Sequence, residues 1–525
     1  MTFALSPGGP ICEPKLKLRT YTPSIDRVRD RIALGPVEAT VDEMIAGIPD
    51  GRRMAWPLGF SQVEYPFPDN PGPSEHMIAA TIGRKDALHG HMAEFWLNNL
   101  VPGHKAIGGG NKLASTMSLL THFHDHALGN FEGLLKRFIG SVPLIFFMDN
   151  DINVAPGTLG PGSGYNENLG REILELFGLG MAEPNEAPRY DQVIDVEELS
   201  RVLTGWNSKA VDTPGALMDA DPTHVRGVGG SGPIVYANGV FTHNHSCATR
   251  WFYPERHDGD AAFFTFWPGV EFSNAVDGPG VAGTDMHPSL DRFLSLLVRH
   301  RPAARYQCRK IGRWFIGRDP SPLVREAMTN TFLDNVDAPD QIARVLKVLF
   351  SSVDFCGSYA DDRRSLVPMA YYSKLMNFFG DAAFGFVSAS KLRTFLRQEF
   401  YQTITYQSPS GYPDDADYWL SPPALNMRAE NAQLIIVPAA SKTNTNANND
   451  CKADLGSWAA AKGFVTPRDF VMHIKDYWRV ENEGPLLALF PTPDAPANWN
   501  LKATKVLMQD ALRTVILTDR AHMAA

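Results

Sequence analysis

The stretch His126-Ala-Leu-Gly-Asn-Phe-Glu-Gly-Leu-Leu-Lys-Arg-Phe-Ile139 decides the fold class. Leu128, Phe131, Leu134, Leu135, Phe138 and Ile139 recur every three or four residues, the spacing that lines one face of an α-helix. The same period returns in Val196, Leu199, Val202, Leu203 and Trp206, with Asp195 and Glu198 placed to cap the helix start. It returns again from Leu290 to Val298, stops at Pro302 and resumes to Phe315 before Gly317. Further helices are predicted near 321–333, 340–352, 367–379, 391–402, 423–433, 466–478 and 502–518. Upstream, Thr40-Val-Asp-Glu43 has the spacing of a capping box. The expected fold is mainly α, a large multi-helix body.

Two regions interrupt the period. Residues 207–287 are dense in Gly, Pro, aromatics and His, and Ile234-Val-Tyr and Gly239-Val-Phe-Thr read as short strands. They predict a loop-and-short-strand insertion. Residues 440–451 are a polar, Asn-rich run that reads as a mobile surface loop. Residues 1–25 read as an irregular N-terminal arm and residues 50–82 as a long packed loop. No Gly/Ser or Pro linker divides the chain, so 26–525 is expected to form a single large helical domain.

Composition narrows the function classes. The 525 residues carry 58 acidic and 49 basic side chains, a net charge of −9, and 44% are apolar, enough for a sizeable core. No basic stripe suited to nucleic acid is present. No apolar run approaches the roughly 20 residues a membrane span needs. Pro7, Gly8, Gly9 and Pro10 stand where the apolar part of a signal peptide would be, so none is expected at this start. The compartment stays open. Cys12, Cys247, Cys308, Cys356 and Cys451 are scattered and odd in number, which excludes a zinc ribbon or a dense disulfide framework.

Several blocks, taken in order, resemble one family. They are Arg31-Ile-Ala-Leu-Gly-Pro36, Glu94-Phe-Trp-Leu-Asn98, His126-Ala-Leu-Gly-Asn-Phe131, Met148-Asp-Asn150 and Asn166-Glu-Asn-Leu-Gly-Arg-Glu172. Leu203-Thr-Gly-Trp206, His257-Asp258, Pro409-Ser-Gly-Tyr-Pro413, Trp419-Leu420 and Arg428 follow. Together they resemble the bacterial domain-of-unknown-function 1800 family. The resemblance implies a mostly α-helical bacterial protein, typically exported, with no activity attached. It also marks two departures. Asn99 and Phe177 stand where the family tends to have His.

Three constellations bear on chemistry. On an ideal helix Asn168, Glu172 and Glu175 fall within about 60° of one another, beside an apolar stripe of Leu169, Ile173 and Leu176. Inward carboxylates at this spacing are what metal-carboxylate bundles use; a solvated face with a Glu167–Arg171 pair is the plainer alternative. Histidines recur at alternate positions, His89/His91, His122/His124/His126 and His243/His245; among all fifteen, His126 and His257 lie inside family-like blocks. Asp149-Asn-Asp151-Ile-Asn153 resembles the start of a calcium loop, but Val154 and Gly160 occupy positions that would be Gly and Glu. The other reading there is turn and cap hydrogen bonding. Ile107–Asn111 is too short of context for a phosphate loop, and no nucleophile elbow is present.

Two functions remain open. One is a metal-dependent enzyme, with Glu94, His126 and Glu175 as ligands of a divalent metal and Glu172, His257 and Asp258 as the catalytic groups. The other is a non-catalytic binding or assembly protein. In that case Asn98, Asn130, Asn166, Glu167, Asn168 and Arg171 belong to a polar network, and the 207–287 insertion meets a protein or glycan.

Overall fold

The computed structural model describes residues 87–103, 119, 122–123, 125–211, 224–228, 235–237, 240–242, 246–356, 367–379, 389–399, 401, 408–413, 416–419, 421–436, 454–478, 480 and 482–516. The N-terminal arm, the Arg31–Pro36 block, the Thr40 capping box, the 50–82 loop, Ile107–Asn111, His124, His243, His245, Leu420 and the 440–451 loop lie outside the described residues. So do the side chains of 209–249, part of the insertion where partner contact was expected.

The protein is mainly α. In chain order the helices are α1 Ala87–Asn99, α2 Phe131–Ile139, α3 Val142–Phe147, α4 Asn168–Glu172 and α5 Ile194–Val202. After the strands come α6 Asn274–Asp277, α7 Pro288–Arg299, α8 Arg301–Ile316, α9 Pro322–Asp334, α10 Gln341–Phe350 and α11 Val353–Cys356. The last are α12 Pro368–Phe379, α13 Ala389–Gln398, α14 Ala416–Trp419, α15 Pro422–Ile436, α16 Leu455–Ala461, α17 Pro467–Trp478, α18 Gly484–Leu487 and α19 Lys502–Ile516. Between α5 and α6 lie β1 Trp206–Val211, β2 His224–Val228, β3 Val235–Ala237, β4 Val240–Thr242, β5 Ser246–Phe252, β6 Ala262–Phe263 and β7 Glu271–Phe272. β5 is central to an antiparallel sheet of order β1-β5-β2, with Trp206 opposite Phe252 and Val211 opposite Cys247. β3 pairs with β4, and β6 with β7.

Local chemistry sets the helix ends. Asn130 is extended and its side chain accepts the Gly133 N–H at 3.1 Å, which starts α2; Phe131, Leu134, Leu135, Phe138 and Ile139 are its buried face. Ser321 caps α9 with Pro322 at the first helical position. Gly317, at φ 76°, turns the chain out of α8. At α5 the expected cap is corrected. Asp191 accepts the N–H groups of Val193 and Ile194, whereas Asp195 is buried and binds the Thr265 N–H at 2.6 Å and its hydroxyl at 2.5 Å. Asp195 points inward because it lies four positions before Leu199 and seven before Val202, on the buried face of the helix.

Buried apolar side chains form two clusters, one from Leu88 to Phe355 and the other from Val367 to Ile516. Tyr412 packs against both. The second cluster encloses an ion pair. Arg428 donates through Nε to Glu399 at 2.9 Å, Tyr372 donates its hydroxyl to the same carboxylate, and the guanidinium lies over the Tyr371 ring. Arg428 is fully buried, and among the described residues its two terminal nitrogens have no hydrogen-bond partner. Burial pushes the Glu399 carboxyl up, against the pull of Arg428 and Tyr372. Removing one partner of such a pair strands the other charge. Arg428→Met should therefore cost about 3–5 kcal/mol in denaturant unfolding, and adding Glu399→Gln, which keeps an acceptor for Tyr372, should recover most of that loss.

Candidate functional site

The end of α5 organises the family-like blocks. A helix leaves its last carbonyls without intrahelical partners. Here side chains from distant segments supply the donors. Asn153 Nδ2 binds the Ser200 carbonyl at 2.9 Å, and Thr204 Oγ1 binds Arg201's at 2.6 Å. Asn150 Nδ2 reaches the Leu203 carbonyl at 3.4 Å and Trp206's at 2.6 Å. His257 Nδ1 binds the Thr204 carbonyl at 2.9 Å. Asn166 closes the set, its N–H donating to Asn153 Oδ1 at 2.9 Å and its Nδ2 to the Asp149 carbonyl at 3.2 Å. The Asp149–Asn153 run thus folds as turn and cap, with Asn150 and Asn153 buried and facing backbone. Gly205 follows at φ 74°, and a Cβ there would lie 2.6 Å from the Tyr253 carbonyl, so only glycine fits.

The side chains of His257 and Asp258 take different hydrogen-bond partners. Thr204 Oγ1 gives its proton to Arg201, so His257 Nδ1 is the protonated nitrogen, shared between the Thr204 carbonyl and hydroxyl at 2.9 and 3.1 Å. The imidazole is thus held by Thr204. Asp258 instead accepts from the Tyr165 hydroxyl and from Arg201 Nε at 3.3 Å, and its own N–H donates to Thr204 Oγ1 at 2.8 Å. Burial works against its charge, but Tyr165, the Asp260 N–H and Arg201 hold the carboxyl below its ordinary range. Burial lowers the His257 pKa, and burial with the neighbouring His257 ring takes His287 to about 3. The two rings lie 4.0 Å apart.

The Asn166–Gly180 segment departs from an ideal helix. α4 passes at Ile173 into a wider π turn, Ile173–Phe177, and the Leu179 N–H reaches back five residues to the Leu174 carbonyl at 3.0 Å. The assumed 100° per residue therefore fails beyond Glu172. Glu172 and Glu175 still feel one another, but neither is fully buried. Burial first and Glu175 second raise the Glu172 pKa to about 7. Glu167 and Arg171 form an exposed pair at 2.9 Å. Asn168 is exposed, and its N–H donates to Asn166 Oδ1 at 2.9 Å.

A second group of blocks meets elsewhere, where the two apolar clusters adjoin. Asn98 Nδ2 donates to the Tyr412 carbonyl at 3.2 Å, and the Tyr412 N–H returns to Asn98 Oδ1 at 2.7 Å, across 314 residues of sequence. Gly411, at φ 72°, allows this approach: a Cβ would lie 2.0 Å from the Asn98 carbonyl. Beneath, Tyr401 stacks on Tyr412 at 4.7 Å and donates its hydroxyl to the buried Glu94. His91 Nδ1 stands 3.7 Å from the other Glu94 oxygen. Over this floor opens a cleft of about 350 Å³, lined by Phe95, Asn98, Asn99, Leu176, the 409–413 turn and one face of α8, Tyr306 to Trp314. α8 brings Arg309, Lys310 and Arg313 to it. Periodicity within one helix could not reveal this site; Asn98 and the Pro409–Pro413 block stood out singly, and the adjacent Arg309 and Lys310 were not singled out.

The other candidates divide. Asn130 is a structural cap, with Nδ2 also bound to the Val336 carbonyl at 2.6 Å. His126 is exposed and packs on His122. Phe177 is core, edge-on to Phe138. Glu94, His126 and Glu175, the expected ligand set, have different neighbours: Tyr401, His122 and Glu172 respectively. Among the described residues no group of three or more His, Cys, Asp or Glu side chains is placed to hold a metal ion. Among them, too, no helix is long and apolar enough to cross a membrane.

Residues 73–517 match a family described as "Protein of unknown function (DUF1800)". No curated protein and no solved structure matches the chain.

Thr204→Val keeps shape but removes the hydroxyl from Arg201 and Asp258. It should cost about 2 kcal/mol in chemical unfolding, the scale of a stranded buried polar group. Glu172 is less acidic in the folded chain than its ordinary value of 4.5. Its contribution is present below that pH and is lost as pH rises through about 7. Glu172→Gln should therefore raise the melting temperature at pH 8, and the two curves should converge at pH 4.

Proposed function

The chain belongs to the DUF1800 family of proteins of unknown function, and we propose that it is a binding protein whose small-molecule ligand occupies the cleft between α8 and the 409–413 turn. The motif around Asn166, Thr204 and His257 is then its structural polar frame. One observation carries this reading: segments far apart in sequence, including the Phe95-Trp-Leu-Asn98 and Pro409–Pro413 blocks, converge on one concave, mixed polar and aromatic cleft. Such clefts at the junction of two cores are where small ligands are commonly held.

Two further points support it. The side chains of the Asn/Thr/His frame spend their donors on backbone carbonyls, a structural use of polar groups. Asn99, at a position where the resembling sequences tend to carry His, lines the cleft, with its side chain bound to the Phe95 carbonyl at 2.8 Å. Position 99 would then tune what the cleft accepts.

Leu176 offers a test, since it lines the wall without belonging to the frame. Leu176→Trp should fill the cleft and leave the circular-dichroism spectrum unchanged. In a thermal-shift panel of small carboxylates, oxo acids, amides and phosphate esters, compounds that raise the melting temperature of the natural protein should lose that effect in the variant. A panel that stabilises neither protein, or both equally, would reject the cleft as the ligand site.

A further inference from the structure

A histidine acts as an acceptor at each end of α7. At its start His287 is almost wholly buried, and its Nδ1 takes the Ser289 N–H at 3.2 Å. At its end the part-buried His300 takes the Trp267 indole N–H on Nδ1 at 3.1 Å. A backbone N–H and an indole N–H can only donate, so each of these ring nitrogens carries a lone pair. Both histidines are therefore neutral, with the proton on Nε2; that of His287 faces Asn274 Oδ1 at 3.1 Å. A proton on either Nδ1 would turn an acceptor into a donor aimed at a donor. At His287 it would also set a cation against the N-terminus of a 12-residue helix. The conflict is relieved when the ring leaves its seat. What the two rings hold is the segment 259–286, to which Asn274 and Trp267 belong. Its Phe264, Trp267 and Phe272 rings pack on Phe293 of α7 with centres 4.8, 5.4 and 5.7 Å away.

We propose that His287 and His300 form an acid-sensitive latch: the segment 259–286 is seated on α7 while both are neutral and is released as both take up protons, baring the aromatic face of Phe264, Phe272 and Phe293. The charged groups around the latch are matched to one another. Asp277 of α6 meets Arg292 of α7 at 2.6 Å, and Asp258 meets Arg201 at 3.3 Å. Glu271 of β7 accepts from the Ser273 hydroxyl at 2.6 Å, and Arg256 lies over the Tyr253 ring. Arg299 and Arg301, on either side of His300, pair with Glu132 and Asp337 and with Glu326. Glu255, Asp260 and Asp285 are exposed. His257, whose ring lies 4.0 Å from His287, is itself a base, so a proton on one disfavours a proton on the other. Burial and His257 take His287 to about 3, and burial lowers His300. On release each returns toward the ordinary 6.5. The latch is thus at full strength above pH 6.5 and weakens as pH falls from there toward the lowered values. Between pH 7.5 and 5, proton uptake by one released histidine raises the open population about 30-fold.

The test is hydrogen exchange in the full-length protein, read by peptide mass spectrometry at pH 7.5 and pH 5, with labelling times scaled for the intrinsic exchange rate. This range is where histidine, rather than an ordinary carboxyl, titrates. Peptides from 259–286 should lose protection at least ~10-fold at pH 5, while those from α10, Gln341–Phe350, keep theirs. The second arm is the double variant His287→Asn with His300→Asn. Asparagine offers Oδ1 in place of Nδ1, suits a helix start and does not titrate. It should match the natural protein at pH 7.5 and lose less than ~3-fold at pH 5. Each single variant should fall between the two, which decides the matter if the double variant does not fold. Unchanged protection of 259–286 in the natural protein overturns the latch. So does an equal loss in α10, which is general acid unfolding, and so do variants that lose as much as the natural protein.

Discussion

The carbonyls at the end of α5 are the constraint on which this half of the structure depends. A helix that ends inside a protein cannot leave those groups to water, and each one stranded costs on the order of 1–3 kcal/mol. The chain meets the need with Asn150, Asn153, Thr204 and His257, from three separate segments. Once those donors are committed, much else follows. Asn166 is held against Asn153, which sets where α4 begins. Gly205 must be glycine so that the Tyr253 backbone can approach, and Trp206 is carried into the core as β1 begins. Blocks that look unrelated along the sequence are parts of one cap.

This explains which features were legible. Amphipathic period and strong local punctuation made the helices readable. The helix expected at 321–333 is found at Pro322–Asp334 because Ser321 and Pro322 announce its start, and the one expected at 367–379 is found at Pro368–Phe379. α16, in a short Gly- and Ala-containing stretch, gave too few apolar repeats to be read. The π turn after Glu172 was also hidden, because period arguments assume regular geometry and a wider turn leaves no compositional mark. Asp195 and Asp191 were confused for a related reason: both precede the apolar run, and only burial tells the cap from the inward tie to Thr265.

The candidate site was legible only in parts. Asn98 and the Pro409–Pro413 block each stood out, but their mutual hydrogen bonds cross 314 residues, and no local rule couples segments so far apart. Glu172 and Glu175 were drawn into a metal hypothesis because charge on a helix face reads alike whether it meets solvent, a partner or an ion. The basic wall of the cleft, Arg309, Lys310 and Arg313, drew no notice in the sequence, since an ordinary-looking basic pair on a helix is usually solvated.

Lys310 and Arg428 make the most informative comparison. Arg428 is fully buried and Lys310 part-buried, and both lie against a tyrosine ring. Arg428 is enclosed in the second core and answered by Glu399, which is how a fold accommodates a charge it uses for architecture. Lys310 lines an open cleft, has a carbonyl in place of a carboxylate, and sits beside two more cations. Local rules tend to be broken where a protein does something other than fold. A basic and aromatic cleft at the junction of two cores, behind a turn that only glycine at 411 permits, is better explained by what enters it than by what surrounds it.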